Sequence, residues 1–295
     1  MNILTFDVEE WYLEKGFSFF GNHENKYQQF DDVLDNLLDL LDEKRLKATF
    51  FCVGKLATEF PNVVRRIAAR GHEVGCHSNE HIWLDKMDED MVRRDTNNAL
   101  NSLEDIYGNK VISYRAPAFS VTEENKWVFE VLAECGIEND ASIFPASRDF
   151  GGFPSFPKNF PCVVNYNGSI IKEFPVYMTS AFGKRFAYSG GGYFRLLPYW
   201  YVSKIIKKNN YNICYFHLKD LMKENVHFLS KNEYEDYFKQ SGSLINRIVR
   251  YVKDNISGGG DMIKKLSGLL DNNTFVNVRQ AAELTDWTNT SEVFL

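Results

Sequence analysis

Through residues 1–135, short apolar runs alternate with amphipathic stretches, and this rhythm restricts the fold more than any other feature. Ile3–Phe6, Lys47–Gly54, Val74–Cys76 and Val111–Tyr114 read as buried strands. Between and after them, Asp31–Lys44, Asn62–Arg70, Asp88–Tyr107 and Glu123–Glu134 read as helices. In the first of these, Val33, Leu34, Leu37, Leu38, Leu40 and Leu41 keep helical spacing, and Asp31 and Asp32 suit an N-terminus. Pro61 leads the second helix and Gly71 stops it. Strands that alternate with helices pair in parallel through crossovers, so an α/β fold is expected. Residues 140–198 break the rhythm: they hold six of the eight prolines and read as short strands and long loops. It resumes with a helix at Tyr199–Lys208 and a strand at Tyr211–Leu218. Helices at Lys231–Gln240, Ser243–Asn255 and Asp261–Leu270, a strand near Thr274–Val278 and a terminal helix complete the chain. The expectation is one domain over residues 1–295, a barrel-like (β/α) arrangement with an inserted loop-rich region.

In α/β folds the C-terminal ends of strands carry the chemistry. Asp7 ends the first strand, and Glu9, two residues on, points to the same face. His77 and His81 follow the Val74–Cys76 strand at i, i+4, close enough to share a helical turn or a tight loop. One carboxylate and two neutral imidazoles form a three-ligand metal set with an open position, leaving the second carboxylate free as a base. Arg115 also lies at a strand end, either as surface charge or as a partner that keeps a carboxylate ionised. The Ala118 N–H just beyond it could donate to an oxyanion. His217, near the end of its strand, is either a satisfied core residue or a proton donor to a leaving amine. Asp140 could hold that imidazole protonated or serve a turn.

Gly190–Gly192 has no Gly-Lys-Ser/Thr ending, so it reads as tight backbone beside the pocket rather than a phosphate cradle. His23, His72 and His227 read as structural or surface residues. Tyr166, Tyr177, Phe182, Tyr188 and Tyr193 suit either sugar stacking or an ordinary core. A net charge of -6 argues against a nucleic-acid binder. No apolar run approaches the length of a bilayer span, and no leader-like pattern opens the chain, so a cytoplasmic location is expected. The five cysteines form no CxxC pair and read as reduced core thiols.

Taken in order, these motifs resemble the polysaccharide deacetylases of carbohydrate esterase family 4. Thr5-Phe6-Asp7-Val8-Glu9 is similar to the family's Thr-Phe-Asp-Asp strand end, and His77–His81 matches its His-Ser/Thr-x-x-His motif. Arg115-Ala116-Pro117 matches Arg-x-Pro, and His217 matches the late catalytic histidine. The Asp-Val-Glu start, Arg-Ala-Pro-x-Phe-Ser, Asp140-Ala141-Ser142-Ile143-Phe144-Pro145 and the run from Gly190 resemble a subgroup associated with exopolysaccharide biosynthesis.

The resemblance implies a distorted (β/α) barrel that removes acetyl groups from an acetylated sugar or oligosaccharide. It implies a divalent metal, zinc by its nitrogen ligands, held by His77, His81 and Glu9. Asp7 is then the base, Arg115 its partner, His217 the acid and Asp140 the group that tunes it. The chain departs from the pattern twice. Val8 stands where the family has its second Asp, so Glu9 either takes over as ligand or turns away. Leu218-Lys219-Asp220 replaces the subgroup's Pro-Trp-Glu. Two other readings stay open: a carbohydrate-binding protein on a disabled barrel, and a metal amidohydrolase for a non-sugar amide.

Overall fold

Ile3, Leu4, Phe6 and Val8 are all fully buried in strand β1 (Asn2–Val8), which lies inside the sheet between two parallel neighbours. This computed structural model describes residues 1–16, 23–148, 151–181, 184–222, 228–238, 241–255 and 262–295. The remaining strands are β2 (Thr49–Cys52), β3 (Glu73–Cys76), β4 (Ser113–Tyr114), β5 (Asn139–Asp140), β6 (Cys162–Tyr166), β7 (Ser169–Glu173), β8 (Met178–Ala181), β9 (Lys184–Ala187), β10 (Asn212–His217) and β11 (Glu292–Phe294). The helices of the first half are α1 (Glu10–Gly16), α2 (His23–Glu43), α3 (Gly54–Glu59), α4 (Pro61–Ala69), α5 (Glu89–Tyr107) and α6 (Val128–Glu134). The second half adds α7 (Gly191–Leu196), α8 (Tyr199–Lys208), α9 (Leu218–Leu221), α10 (Lys231–Phe238), α11 (Leu244–Asn255), α12 (Met262–Asp271) and α13 (Val278–Leu284).

Nine strands form one sheet in the order β10-β1-β2-β3-β4-β5-β7-β6-β11, while β8 and β9 form a separate hairpin. From β10 to β7 every pairing is parallel; β6 runs antiparallel to β7, and β11 pairs parallel to β6. The two-residue strand period sends Leu4, Phe6, Phe50, Cys52, Val74 and Tyr114 outward onto the helices. The alternate residues Ile3, Phe51 and Ile213 meet Phe119, Ala141 and Phe174 in a second, interior cluster. Side chains from strands this far apart in the order can meet only if the sheet curls around them. The result is a distorted α/β barrel, and among the described residues no ladder joins β10 to β11 to close it.

At the N-terminal ends of the strands the interior is polar. The Glu73 carboxylate accepts from the Thr49 and Ser113 hydroxyls, both at 2.6 Å, and from the Arg279 N–H at 3.0 Å. Helix α13 thus plugs this end. The opposite end, where the strands finish, is left for chemistry.

Three expectations need correction. Helix α2 begins at His23, so Asp31 and Asp32 are not at its start. The acids spaced three and four apart instead meet arginines of α4 and its end: Arg66 bonds Asp31 and Asp35, and Arg70 bonds Asp39 and Asp42. The strand expected near Thr274–Val278 is only a bridge between Val276 and Ile3, because Asn277 caps α13 there. Strand β11 follows where no strand was expected; its Val293 is buried and its neighbours are exposed, too short an alternation to register.

Candidate active site

The site is assembled from strand ends. Asp7 sits opposite His217 in the β1–β10 register and opposite Phe51 in β1–β2. Beyond β3, His77 opens a loop whose shape is fixed by backbone bonds. The His77 N–H donates to the Cys52 carbonyl at 2.9 Å, and the Gly54 and Lys55 N–H groups of α3 donate to the Ser78 and Asn79 carbonyls. The loop is not a helical turn: Ser78 and His81 have φ of 61° and 56°. The Ser78 hydroxyl accepts from the His81 N–H at 2.9 Å and folds the second histidine back toward the first. A Cβ on Gly54 would lie 2.6 Å from the Ala99 backbone, so only glycine lets α3 approach α5 and the loop this closely.

These supports bring Glu9, His77 and His81 together, with one ligand atom from each within 4.8 Å of the others. Glu9 Oε2 lies 2.6 Å from His81 Nε2 and 3.5 Å from His77 Nε2. His77 Nδ1 is 2.7 Å from the Arg115 carbonyl, which can only accept, so Nδ1 carries the proton and Nε2 is left with its lone pair. Glu9 Oε2 is buried without a hydrogen-bond partner. Two imidazole nitrogens and an orphaned carboxylate oxygen facing one point fit a divalent cation. Burial alone raises the Glu9 carboxyl, but His81, His217 and Lys219 outweigh it and hold the group well below the usual carboxylate range.

Arg115 is fully buried and faces Asp7. Its Nη1 donates to Asp7 Oδ1 and to the Thr5 hydroxyl, both at 2.8 Å, and its Nε donates to the Ala141 carbonyl at 3.1 Å. The guanidinium lies 4.3 Å from the Phe51 ring centroid. Asp7 is thereby fixed with Oδ2 toward the open side, 3.9 Å from His217 Nε2. The same His217 nitrogen is 3.6 Å from Glu9 Oε1. Ala118, the expected oxyanion donor, sits just past Arg115 with φ of 55°.

The structure does not bring Asp140 to His217, contrary to expectation. Strand alternation turns Asn139 inward to Ser113 and Asp140 outward, where its Oδ1 accepts from the Ser142 hydroxyl at 2.5 Å. Burial raises the Asp140 carboxyl, against hydrogen bonds with Glu173 and Ser142 that lower it. His217 is met by Asp220 instead. Asp220 Oδ2 is 3.3 Å from His217 Nδ1 and accepts the His217 N–H at 2.9 Å, while Arg195 Nη2 donates to Oδ1 at 3.0 Å. Desolvation works against charge on both groups, yet Glu9 and Asp220 raise His217 to about 9, and His217 and Arg195 lower Asp220 to about 2.

A Cβ on Gly191 would fall 1.8 Å from Asp220 Oδ2, and one on Gly190 would fall 2.2 Å from the Tyr215 ring. These glycines do border the pocket, through close approach rather than a tight turn. Lys219, in the segment that departs from the resemblance, reaches Glu9 Oε1 at 3.4 Å, and its N–H donates to Glu10 at 3.1 Å.

Asp220, Arg195 and Asp95 were not singled out from sequence. Asp95 on α5 accepts the Asn79 N–H at 2.8 Å and so pins the histidine loop, a contact sixteen residues away that no local pattern signals. Asp220 did leave a signal: it stands three residues after His217, the spacing of a capping box at the start of α9. Of the aromatics considered for stacking, Tyr188 is fully buried, Tyr166 and Tyr177 pack on the core and Tyr193 is exposed. Phe182 and His227 lie outside the described residues. His72 is structural, its Nδ1 accepting the Ala48 N–H at 3.3 Å.

Residues 4–139 match the family model described as polysaccharide deacetylase, and residues 141–283 match one described as a domain of unknown function, DUF3473. Over 132 residues the chain is 37% identical to a peptidoglycan-N-acetylglucosamine deacetylase of Bacillus cereus, covering 41% of this chain and 46% of that protein. It is 38% identical over 86 residues to a chitooligosaccharide deacetylase of Rhizobium leguminosarum bv. trifolii, covering 26% of this chain and 40% of that one. The chain thus spans less than half the length of these curated relatives. A Mycobacterium smegmatis crystal structure, provisionally assigned as a polysaccharide deacetylase, superposes with a TM-score of 0.66 at 18% identity. It covers 100% of this chain and 92% of that one, which places both in the same fold. Residues 4–139 are thus similar to the polysaccharide deacetylases, and the chain as a whole shares its fold with one such crystal structure.

Proposed function

We propose that the protein is a metal-dependent N-deacetylase that hydrolyses the acetamido group of an acetylated amino sugar in a surface glycan or its precursor. The observation that carries this reading is the convergence of Glu9, His77 and His81 beside the Asp7–Arg115 pair, with His217 facing both carboxylates. Glu9, His77 and His81 would hold the ion, zinc by the nitrogen donors. Bound there, a divalent ion supplies a Lewis acid for a carbonyl oxygen and makes water more acidic.

The chain's own residues supply the rest. Arg115 binds Asp7 Oδ1 and leaves Oδ2 aimed at the open side, so Asp7 takes a proton from the attacking water as the water oxygen bonds to the acetyl carbon. His217 enters the reaction protonated and gives its proton to the sugar nitrogen as the C–N bond breaks. Acetate and a free amine leave. Arg195 and Asp220 hold the imidazole in place through Nδ1, leaving Nε2 toward the substrate side. The names of the relatives, a peptidoglycan-N-acetylglucosamine deacetylase and a chitooligosaccharide deacetylase, support the substrate class. The chain works as one catalytic unit in this reading, because β10 brings His217 to Asp7 on β1. Five unpaired cysteines, four of them buried, suit a reducing compartment such as the cytoplasm.

The test is metal content per chain beside acetate release from a panel of N-acetylated oligosaccharides, for the wild type and for His77→Ala. One ion per wild-type chain, lost with activity in the variant, supports the proposal. No metal after reconstitution and no acetate would leave a sugar-binding protein in its place.

A further inference from the structure

Helix α11 presents its apolar side outward. Leu244, Ile245, Ile248, Val249, Tyr251 and Val252 fall within an arc of about 160° at 100° per residue. All six are exposed, Ile245 by 73%, Val249 by 59% and Leu244 by 58%. Among the described side chains of α11, Arg247, on the other arc, is the half-buried one: its Nη1 donates to the Leu229 carbonyl at 3.1 Å, and its guanidinium lies 5.1 Å from the Phe228 ring. A helix that serves the core does the reverse, as α12 does with Met262, Leu266, Leu269 and Leu270 buried. A contiguous apolar surface of this kind marks a contact site.

Its surroundings indicate the chemistry of the contact. Aromatic rings gather at the patch: Phe228 meets Tyr251 edge to face at 5.7 Å, and α7, which touches α11, exposes Tyr193 and Leu196. Three residues on, α8 opens with Tyr199 and Trp200, the latter 66% exposed. Charge is the second indication. The sequence of α11 carries Arg247, Arg250 and Lys253 against Asp254 alone. Helix α8 carries exposed Lys204, Lys207 and Lys208 and no acid, in a chain whose net charge is -6. The acids Glu233, Glu235 and Asp236 lie in the sequence of α10, which also touches α11. A wide apolar arc on a helix whose charged residues are mostly basic in sequence, with aromatic rings beside it, is the pattern of a helix that lies in the plane of an anionic bilayer. A two-fold contact between copies would instead set these basic residues against themselves. At 12 residues, α11 is about 18 Å long against about 30 Å of hydrocarbon, so it can lie on a membrane but not cross one.

We propose that α11 docks the protein on membrane surfaces rich in anionic phospholipid. The inference does not depend on the deacetylase reading. It has a consequence for it: α7 begins at Gly191 against Asp220, so the docking face is tied to the His217 side of the site.

Flotation of the full chain with phosphatidylcholine vesicles, with and without phosphatidylglycerol, tests the proposal. The wild type should float with the anionic vesicles and release as salt rises. Ile245→Glu/Val249→Glu should bind at least about tenfold more weakly, with an unchanged melting temperature. Acetate release from a soluble oligosaccharide should be the same in both, so a missing deacetylase activity and a missing membrane contact are told apart. No wild-type binding to anionic vesicles would overturn the proposal. So would binding that the double variant retains, or a concentration-dependent dimer in light scattering that the double variant dissolves.

Discussion

Residues 4–139 and residues 141–283 build their shares of the site by different means. The first segment holds Asp7, Glu9, His77 and Arg115 nearly or fully buried, each at or just past a parallel strand and tied to backbone or to another site residue. The second brings His217, a quarter exposed at its side chain, and steadies it with Asp220 and Arg195 from two short helices, α9 and α7. The contrast has a physical sense. A cation pocket must hold its donors to a few tenths of an ångström, which strand ends in a packed sheet do well. In the proposed reaction, a group that hands a proton to a large sugar must stay open to it, so His217 is held from one side only.

The comparison breaks most plainly at Asp7. Asp7→Asn should lower kcat by at least about a thousandfold, the upper range for loss of a general base, while bound metal stays at the wild-type level. Metal loss in that variant would mean that the packed segment acts as one unit and that Asp7 has no separate role. A smaller effect is expected on the open side. Asp220→Asn should lower kcat by about 10- to 100-fold, whereas Asp140→Asn should leave it within about twofold. The opposite ranking in steady-state kinetics would restore the tuning role to Asp140.

Asp95→Ala removes the side-chain acceptor that pins Asn79 and should weaken metal affinity by about tenfold with little change in the saturated rate, read by competition with a chelating dye. Equal loss of rate at saturating metal would show that the loop positions more than the ligands.

The smallest effect on activity lies far from the chemistry. Burial, with the charge of Lys47, lowers His72 to about 4, against about 6.5 in an unfolded chain. The folded state therefore binds fewer protons, so this contribution is complete above pH 6.5 and is lost as pH falls toward 4. It amounts to about 3 kcal/mol in urea titrations, and His72→Asn should remove most of that pH dependence while keeping activity. An unchanged pH slope would mean that the ring is solvated.

Much of this was legible in the residues. The α/β rhythm, the i, i+2 pair Asp7 and Glu9 and the placement of His77, His81, Arg115 and His217 at strand ends depend on local periodicity, which survives without tertiary context. The end of α2 near Lys44 and the start of α5 after Asp88, whose side chain accepts the Met91 N–H at 2.8 Å, were legible for the same reason. The start of α2 was not, because acids that pair across to α4 look the same in sequence as acids that serve a helix terminus.

Three matters were left to the tertiary structure. Asp140 and Asp220 are equally plausible partners for His217 by composition. The choice falls to Asp220 because alternation in β5 turns Asp140 to the outer face, while a helical turn folds Asp220 back onto the imidazole. Closure of the barrel depends on pairing between the first and last strands in the order, a contact with no sequence signature. The outward side of α11 could not be read either, since periodicity shows that a helix has an apolar arc and only packing shows which way it faces. What the sequence determined is what neighbours in the chain impose on each other through covalent geometry; what the fold decided is which distant groups share a face.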